Sequence, residues 1–163
     1  MGIIDGLLEN NAAYAREMAG GGLPAAPAKK LVVVACMDAR IDVHRILGLE
    51  AGDAHVIRNA GGSVTEDVLR SLVVSQHVLG TREMLLIHHT ECGMLGLDED
   101  EVKGRVEQEA GTAPDFPLGG FSDLEENLRS SVDRIRSSPF LRFQTARGFV
   151  YDVRTGHLQE PGA

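Results

Sequence analysis

Cysteine is scarce in this sequence. There are two, Cys36 and Cys92, and that scarcity limits the chemistry available. One chain cannot build a metal site from three or four of its own thiolates, and the pair lacks the Cys-x-x-Cys spacing of a thiol redox motif. Basic residues are also few. Sixteen Lys and Arg against 24 Asp and Glu leave a formal net charge of -8, which argues against nucleic acid or an anionic membrane as partner. Apolar runs are short, and none approaches a membrane span. The N-terminus lacks the basic region and apolar block of a secretory signal, and Gly6 stands where a myristoylation signal wants Ser or Thr. Repeats, low-complexity tracts and a composition break between domains are missing too. These absences lead to the expectation of a single cytoplasmic domain over residues 1–163, in a compartment that disfavours a structural disulfide.

Of the 163 residues, 43% are hydrophobic and 25% charged, enough for a soluble domain with a sizeable core. Residues 3–18 carry Ile3, Ile4, Leu7, Leu8 and Ala12 at helical spacing, and Gly20-Gly21-Gly22 and Pro27 end the segment. Residues 1–27 therefore read as a helical arm and linker, able to dock on its own domain or on a neighbouring subunit. Leu31-Val-Val-Val-Ala-Cys36 and Glu83-Met-Leu-Leu-Ile-His-His89 are short apolar runs that read as strands buried on both faces. Residues 41–47 form a short helical segment stopped at Gly48, and residues 54–62 a brief strand opening into a glycine turn. Ser63-Val-Thr-Glu66 has capping-box form, with Ser63 as N-cap of a helix carrying Val64, Val68, Leu72 and Leu79. Residues 98–109 form an acidic helix and 111–120 a surface loop. A second capping box, Ser122-Asp-Leu-Glu125, opens a helix with Leu124, Leu128, Val132 and Ile135 on one face, ending before Pro139. Residues 148–153 and His157-Leu-Gln159 read as a closing strand with a hairpin return. Strand, helix and strand at these lengths predict an α/β fold with a parallel sheet.

The first apolar run leads directly into polar residues. If the chain stays extended beyond Cys36, alternation puts Cys36, Asp38 and Arg40 on one side at the carboxyl end of a core strand, where open α/β sheets bind ligands. The second run ends in His88-His89-Thr-Glu-Cys92-Gly93, and His-x-x-Cys lets an imidazole and a thiolate reach one ion. With Cys36 the donors are two sulfurs and one nitrogen, a set that zinc accepts. Three protein ligands leave the fourth position for water, whereas a closed site takes a further histidine or a carboxylate, of which Asp38 is nearest. Singly, a histidine near a cysteine is ordinary core packing and Asp-x-Arg an ordinary surface pair. Their meeting at two strand ends is what points to a metal.

Cys36-x-Asp38-x-Arg40, Arg58-Asn-Ala-Gly61 and His89-x-x-Cys92-Gly93, in this order between residues 31 and 158, resemble the β-class carbonic anhydrases, most closely a short bacterial subgroup. The resemblance implies a four-stranded parallel sheet with an antiparallel edge strand and flanking helices. It implies one zinc per protomer on Cys36, His89 and Cys92, with Asp38 and Arg40 as a dyad beside the fourth ligand position. Asn59, Ala60 and Gly61 then line the cleft, supported by Arg58. The implied reaction is a lyase's reversible hydration of carbon dioxide to bicarbonate and a proton, through attack of zinc-bound hydroxide. Homodimers or homotetramers are implied as well, with the N-terminal helix reaching across to the partner. The family shows Asp38 either held by Arg40 in an open site or bound to zinc in a closed one. The closed form goes with a tryptophan-containing bicarbonate site, and this sequence has no Trp, so the open form is expected. Two other readings use the same motifs: hydrolysis of carbonyl sulfide or carbon disulfide, and a catalytically silent zinc module or bicarbonate sensor, against which the intact dyad weighs. His88 matches no ligand position and, on a strand, faces away from His89. His44, His55, His77 and His157 match nothing.

Overall fold

Strand β1 (Leu31–Cys36) coincides with the first apolar run and lies inside the sheet, with Val32, Val33, Val34 and Ala35 fully buried. The computed structural model describes residues 2–18 and 22–162, so Gly20 and Gly21 of the expected glycine stop lie outside the described residues. β1 pairs in parallel with β2 (Ala54–Asn59) on one side and β3 (Glu83–His89) on the other. β3 pairs in parallel with β4 (Thr145–Tyr151), and β5 (Leu158–Gln159) closes antiparallel on β4. The order β2-β1-β3-β4-β5 is thus a parallel four-stranded core with an antiparallel edge strand.

Both faces of β1 and β3 are covered. Val32, Val34, Met84 and Leu86 pack with residues of α3 (Glu66–His77) and α5 (Leu124–Arg136). Val33, Ala35 and Ile87 pack on the other side with Ile41, Leu49 and α2 (Val43–Leu47), which Gly48 ends in a left-handed conformation. Each fully buried Val or Leu side chain is worth about 1.5–3 kcal/mol, so the two central strands form a rigid base for whatever their ends carry.

Three local expectations shift. Helix α3 is capped by Thr65, whose Oγ1 accepts from Val68 N–H, and not by Ser63. Ser63 follows the 3-10 turn Ala60–Gly62 in extended conformation and donates instead to Asn127 Oδ1, while the Val64 N–H goes to Ser131 Oγ. With both groups committed to α5, the helix begins two residues later. Helix α5 is capped by the Asp123 carboxylate, which accepts from Glu126 N–H, in place of Ser122. A charged acceptor suits the positive end of a helix better than a hydroxyl. β4 starts at Thr145 and not at Gly148, because Thr145, Ala146 and Arg147 continue the ladder opposite Glu83, Met84 and Leu85.

Helix α1 (Ile3–Glu17) forms as expected and buries none of its residues. Among the described residues no helix is long and apolar enough to cross a membrane. Helix α4 (Glu99–Ala110) is capped by Asp98 and ends at Gly111 in the left-handed region. Its first residue does more than start the helix. The Glu99 carboxylate accepts from the N–H groups of Leu118, Gly119 and Gly120 at 3.0, 2.8 and 3.1 Å, and those bonds hold its carboxyl below the usual range. A depressed carboxyl stabilises the fold above its ordinary titration range and loses that contribution as pH falls through the depressed folded value. Glu99→Ala is expected to speed hydrogen–deuterium exchange at residues 118–120 while the β1 amides stay protected; unchanged exchange there counts against the staple.

Candidate metal centre

β1 and β3 run in parallel register, Ala35 opposite Ile87, so both leave the sheet at the same edge. Cys36 closes β1, His89 closes β3, and Cys92 follows within one turn. All three residues are buried, and their donor atoms lie within 4.8 Å of one another. The two Sγ atoms are 4.0 Å apart. That is far beyond the about 2.05 Å of a disulfide. It is close to the about 3.8 Å between two sulfurs that each sit about 2.3 Å from one tetrahedral ion. His89 Nδ1–H donates to the Thr90 carbonyl at 2.9 Å, which places the free lone pair on Nε2. Nε2 is buried with no hydrogen-bond partner. Leaving such an acceptor unsatisfied costs about 1–3 kcal/mol, and a cation between the sulfurs removes the cost. The donor set fits a tetrahedral ion.

The thiols are pushed in opposite directions. Burial opposes ionisation of Cys36, but the neighbouring His89 imidazole and the backbone N–H groups of Asp38 and Gly61 outweigh it, lowering the thiol to about 7. Cys92 is raised, by burial above all and also by Cys36, against the pull of the Met94 N–H. Burial would lower His89, and the Cys36 sulfur reverses that. A cation held among them lets both sulfurs ionise together.

Asp38 and Arg40 meet through a turn and not, as alternation suggested, along an extended chain. Met37 N–H still bonds the Asn59 carbonyl at 2.8 Å, after which Ile41 N–H closes onto the Asp38 carbonyl at 3.0 Å. Asp38 Oδ1 accepts from the Arg40 backbone N–H and from Nε, both at 2.9 Å, and Oδ2 accepts from Nη2 at 2.8 Å. These bonds from Arg40 hold the Asp38 carboxyl well below the usual carboxylate range and raise Arg40 in return. Asp38 Oδ2 stands 3.9 Å from His89 Nε2, beside the donors while engaged with Arg40. Arg58 clamps the same turn from behind, donating from Nε to the Cys36 carbonyl at 3.0 Å and from Nη2 to the Asp38 carbonyl at 2.7 Å.

Residues 59–62 wrap the edge of the centre. Asn59 Nδ2 donates to the Ser63 carbonyl at 2.9 Å, and its buried Oδ1 has no partner. Ala60 begins the 3-10 turn, and Gly61, at φ 79°, directs its N–H to Cys36. Gly62 has φ 69°, and a Cβ there would lie 2.8 Å from Cys36 N and 3.1 Å from the Ile87 carbonyl. Only glycine lets the turn pass so close to both strands. His88 faces the opposite way: its Nε2–H donates to the Gly62 carbonyl at 3.2 Å and its ring stacks on Phe121. Burial pushes its pKa down to about 4, so the ring is neutral near pH 7. His55 sits between the Ala25 carbonyl and Ser75 Oγ, and His77 against the Phe140 carbonyl; His44 and His157 are exposed. None of the four joins the site.

Two residues that motif reasoning passed over complete the surroundings of the dyad. Glu91 contacts Arg40 through its carbonyl and its carboxylate, and Arg154 pairs with the same carboxylate. Arg154 is 63 positions from Glu91, so no spacing could reveal the contact.

Residues 31–115 match the profile of a family described as carbonic anhydrase, a span that holds all the donors and both dyad residues. The chain is 49% identical over 161 residues to β-carbonic anhydrase 1 of Mycobacterium tuberculosis, covering 98% of each chain. It is 34% identical over 154 residues to a carbon disulfide hydrolase of Acidithiobacillus thiooxidans, covering 82% of this chain and 77% of that one. Among solved structures, the carbonic anhydrase of Streptococcus mutans superposes with a TM-score of 0.91 at 37% identity, covering 98% of both chains.

Proposed function

The chain belongs to the β-class carbonic anhydrases, and on that premise we propose that it catalyses the reversible hydration of carbon dioxide to bicarbonate and a proton at one zinc ion held by Cys36, His89 and Cys92. The observation that carries the proposal is the orphaned His89 Nε2 flanked by two sulfurs 4.0 Å apart, beside a carboxylate that Arg40 restrains. When bound, zinc supplies Lewis acidity that makes water a nucleophile near neutral pH, less strongly with two thiolates as ligands than with three neutral imidazoles. Asp38 accepts the hydrogen bond of the reacting water at Oδ2, which takes one bond from Arg40 and keeps a lone pair, whereas Oδ1 already accepts two. Arg40 stays protonated and fixes the carboxylate's orientation. Gly61, Ala60 and Asn59 line the approach for carbon dioxide.

Measuring zinc per chain together with stopped-flow hydration of carbon dioxide tests the proposal. One zinc per chain and a rate far above buffer are expected; a metal-free or inactive protein refutes it. Activity is expected to climb as pH rises from mildly acidic to alkaline. Asp38 stays ionised throughout that range, since its carboxyl is held well below the ordinary value, so the climb belongs to the reacting water. A flat hydration profile counts against this. The carbon disulfide hydrolases are the second reading. The higher identity and fuller coverage of the carbonic anhydrase relative favour carbon dioxide, and sulfide release from carbon disulfide separates the two. A silent zinc module has no use for the Asp38–Arg40 fork.

The arm belongs to the same proposal. Residues 1–163 act as one domain with residues 1–27 as a helical arm, and a second copy of the chain covers α1 in a homodimer, free to pair further into a tetramer. Ile3 and Ile4 are 88% and 71% exposed, and Leu7 and Leu8 are exposed beside them. So apolar a stripe on a helix that buries nothing of its own calls for a partner surface. Deleting residues 1–27 is expected to yield monomers by light scattering; an unchanged mass removes the arm from the interface.

A further inference from the structure

The Asp38–Arg40 fork is itself braced from outside, by a residue standing between two of the candidate ligands. Glu91 adopts φ 56°, a left-handed conformation that side-chain-bearing residues avoid. That conformation lets the residue meet one guanidinium with two groups. Its carbonyl accepts from Arg40 Nη2 at 3.1 Å, and its Oε2 accepts from Arg40 Nη1 at 3.3 Å. Its other carboxylate oxygen takes the guanidinium of Arg154.

Arg154 is held in reach by the main chain. Thr90 N–H donates to the Tyr151 carbonyl at 3.0 Å, and Thr90 Oγ1 accepts from Val153 N–H at 3.1 Å. Asp152 Oδ1 accepts from the N–H groups of Arg154 and Thr155, which shapes the turn between β4 and β5. Contacts therefore run without a break from that turn through Arg154, Glu91 and Arg40 to Asp38. Arg40 is 46% exposed in its side chain. Asp38 holds only one edge of its guanidinium, and Glu91 holds the other.

We propose that Glu91, with Arg154 as its counter-charge, is a positioning residue that keeps Arg40 seated on Asp38 and thereby keeps Asp38 out of the fourth ligand position of the metal. This rests on the zinc reading given under Proposed function. Exposed ion pairs are individually weak, so losing the brace shifts a population without abolishing turnover; a fall of about three- to tenfold in kcat is expected for Glu91→Ala.

The discriminating readout is the visible spectrum of the full-length protein with cobalt(II) in place of zinc, which changes when a carboxylate joins the metal. Glu91→Ala is expected to move the spectrum toward that of Arg40→Ala, and adding Asp38→Asn to Glu91→Ala is expected to abolish the shift. Glu91→Gly, which suits the left-handed backbone, is expected to give the same shift and so separates the lost contact from strain. Arg154→Ala is expected to shift the spectrum less, and combined with Glu91→Ala to add nothing further. Spectra of the Glu91 variants identical to the parent's, or fully additive effects with Arg154→Ala, overturn the proposal. A parent that binds no metal or hydrates no carbon dioxide defeats the zinc reading instead, so the two failures are told apart.

Discussion

Cys92→Ser is expected to lose nearly all its zinc on dialysis and at least about 100-fold in carbon dioxide hydration. Removing an outer hydrogen-bond partner of a metal ligand already costs about 10–100-fold in affinity or activity, and a ligand lost outright costs more. Serine cannot replace the thiolate, because its hydroxyl stays protonated where a metal-bound thiol does not. Cys92 is the better of the two cysteines to change. Both sulfurs belong to one buried cluster, but Cys92 lies in the turn after β3, whereas Cys36 is a residue of a central strand, in register with Asn59 of β2. A Cys36 variant therefore confounds metal loss with damage to the sheet. The circular dichroism of Cys92→Ser is expected to match the parent's, with metal content by elemental analysis and the hydration rate both collapsing. Retained zinc with lost activity would place the metal elsewhere; retained activity would remove Cys92 from the site.

What the sequence reveals here depends on distance along the chain. The runs 31–36 and 83–89 are continuous and apolar, and both became strands with those boundaries, because burial on both faces leaves a strand little latitude. Cys36 and His89 end those strands and Cys92 follows by one turn, so the meeting of three donors was legible as soon as the strands were paired in parallel. The helix caps were less so. Ser63, Thr65, Ser122 and Asp123 are all competent N-caps. Between the first two the choice was made by α5, which claims Ser63 and Val64 from across the fold, and between the last two by the charged acceptor of Asp123. Asp38 and Arg40 come together under either an extended chain or a turn, so their pairing was legible although the backbone that makes it is a turn. Glu91 and Arg154 left no signal, since their contact exists only after β4 has paired with β3. α1 is the converse case: its stripe says that it needs a surface and not which one.

Arg40→Ala is expected to lower turnover by about 100- to 1,000-fold while the protein keeps its zinc, within the range for disabling a positioned acid–base group. The loss has two parts. Asp38 now receives three hydrogen bonds from Arg40, one from its backbone and two from its guanidinium, and alanine keeps only the first. Its carboxyl then drifts back toward the ordinary range, and a carboxylate already 3.9 Å from His89 Nε2 is free to take the fourth ligand position. Zinc should therefore leave Arg40→Ala for a chelator no faster than it leaves the parent, in contrast to Cys92→Ser. Arg40→Lys separates charge from geometry. An ammonium opposes the carboxylate electrostatically but cannot grip both its oxygens in a fixed fork, so partial activity between parent and Arg40→Ala is expected. Acid sensitivity gives a further check. A carboxyl depressed in the folded state stabilises the fold above its unfolded pKa, and that contribution is lost as pH falls through the folded value. In the metal-free proteins, where no cation takes Asp38 in place of Arg40, the depression is relieved, so Arg40→Ala has less of that contribution to lose and its stability should fall less steeply than the parent's on acidification. Near-parental turnover in Arg40→Ala would mean that Asp38 stays clear of the metal unaided, and the fork would then be an ordinary surface ion pair.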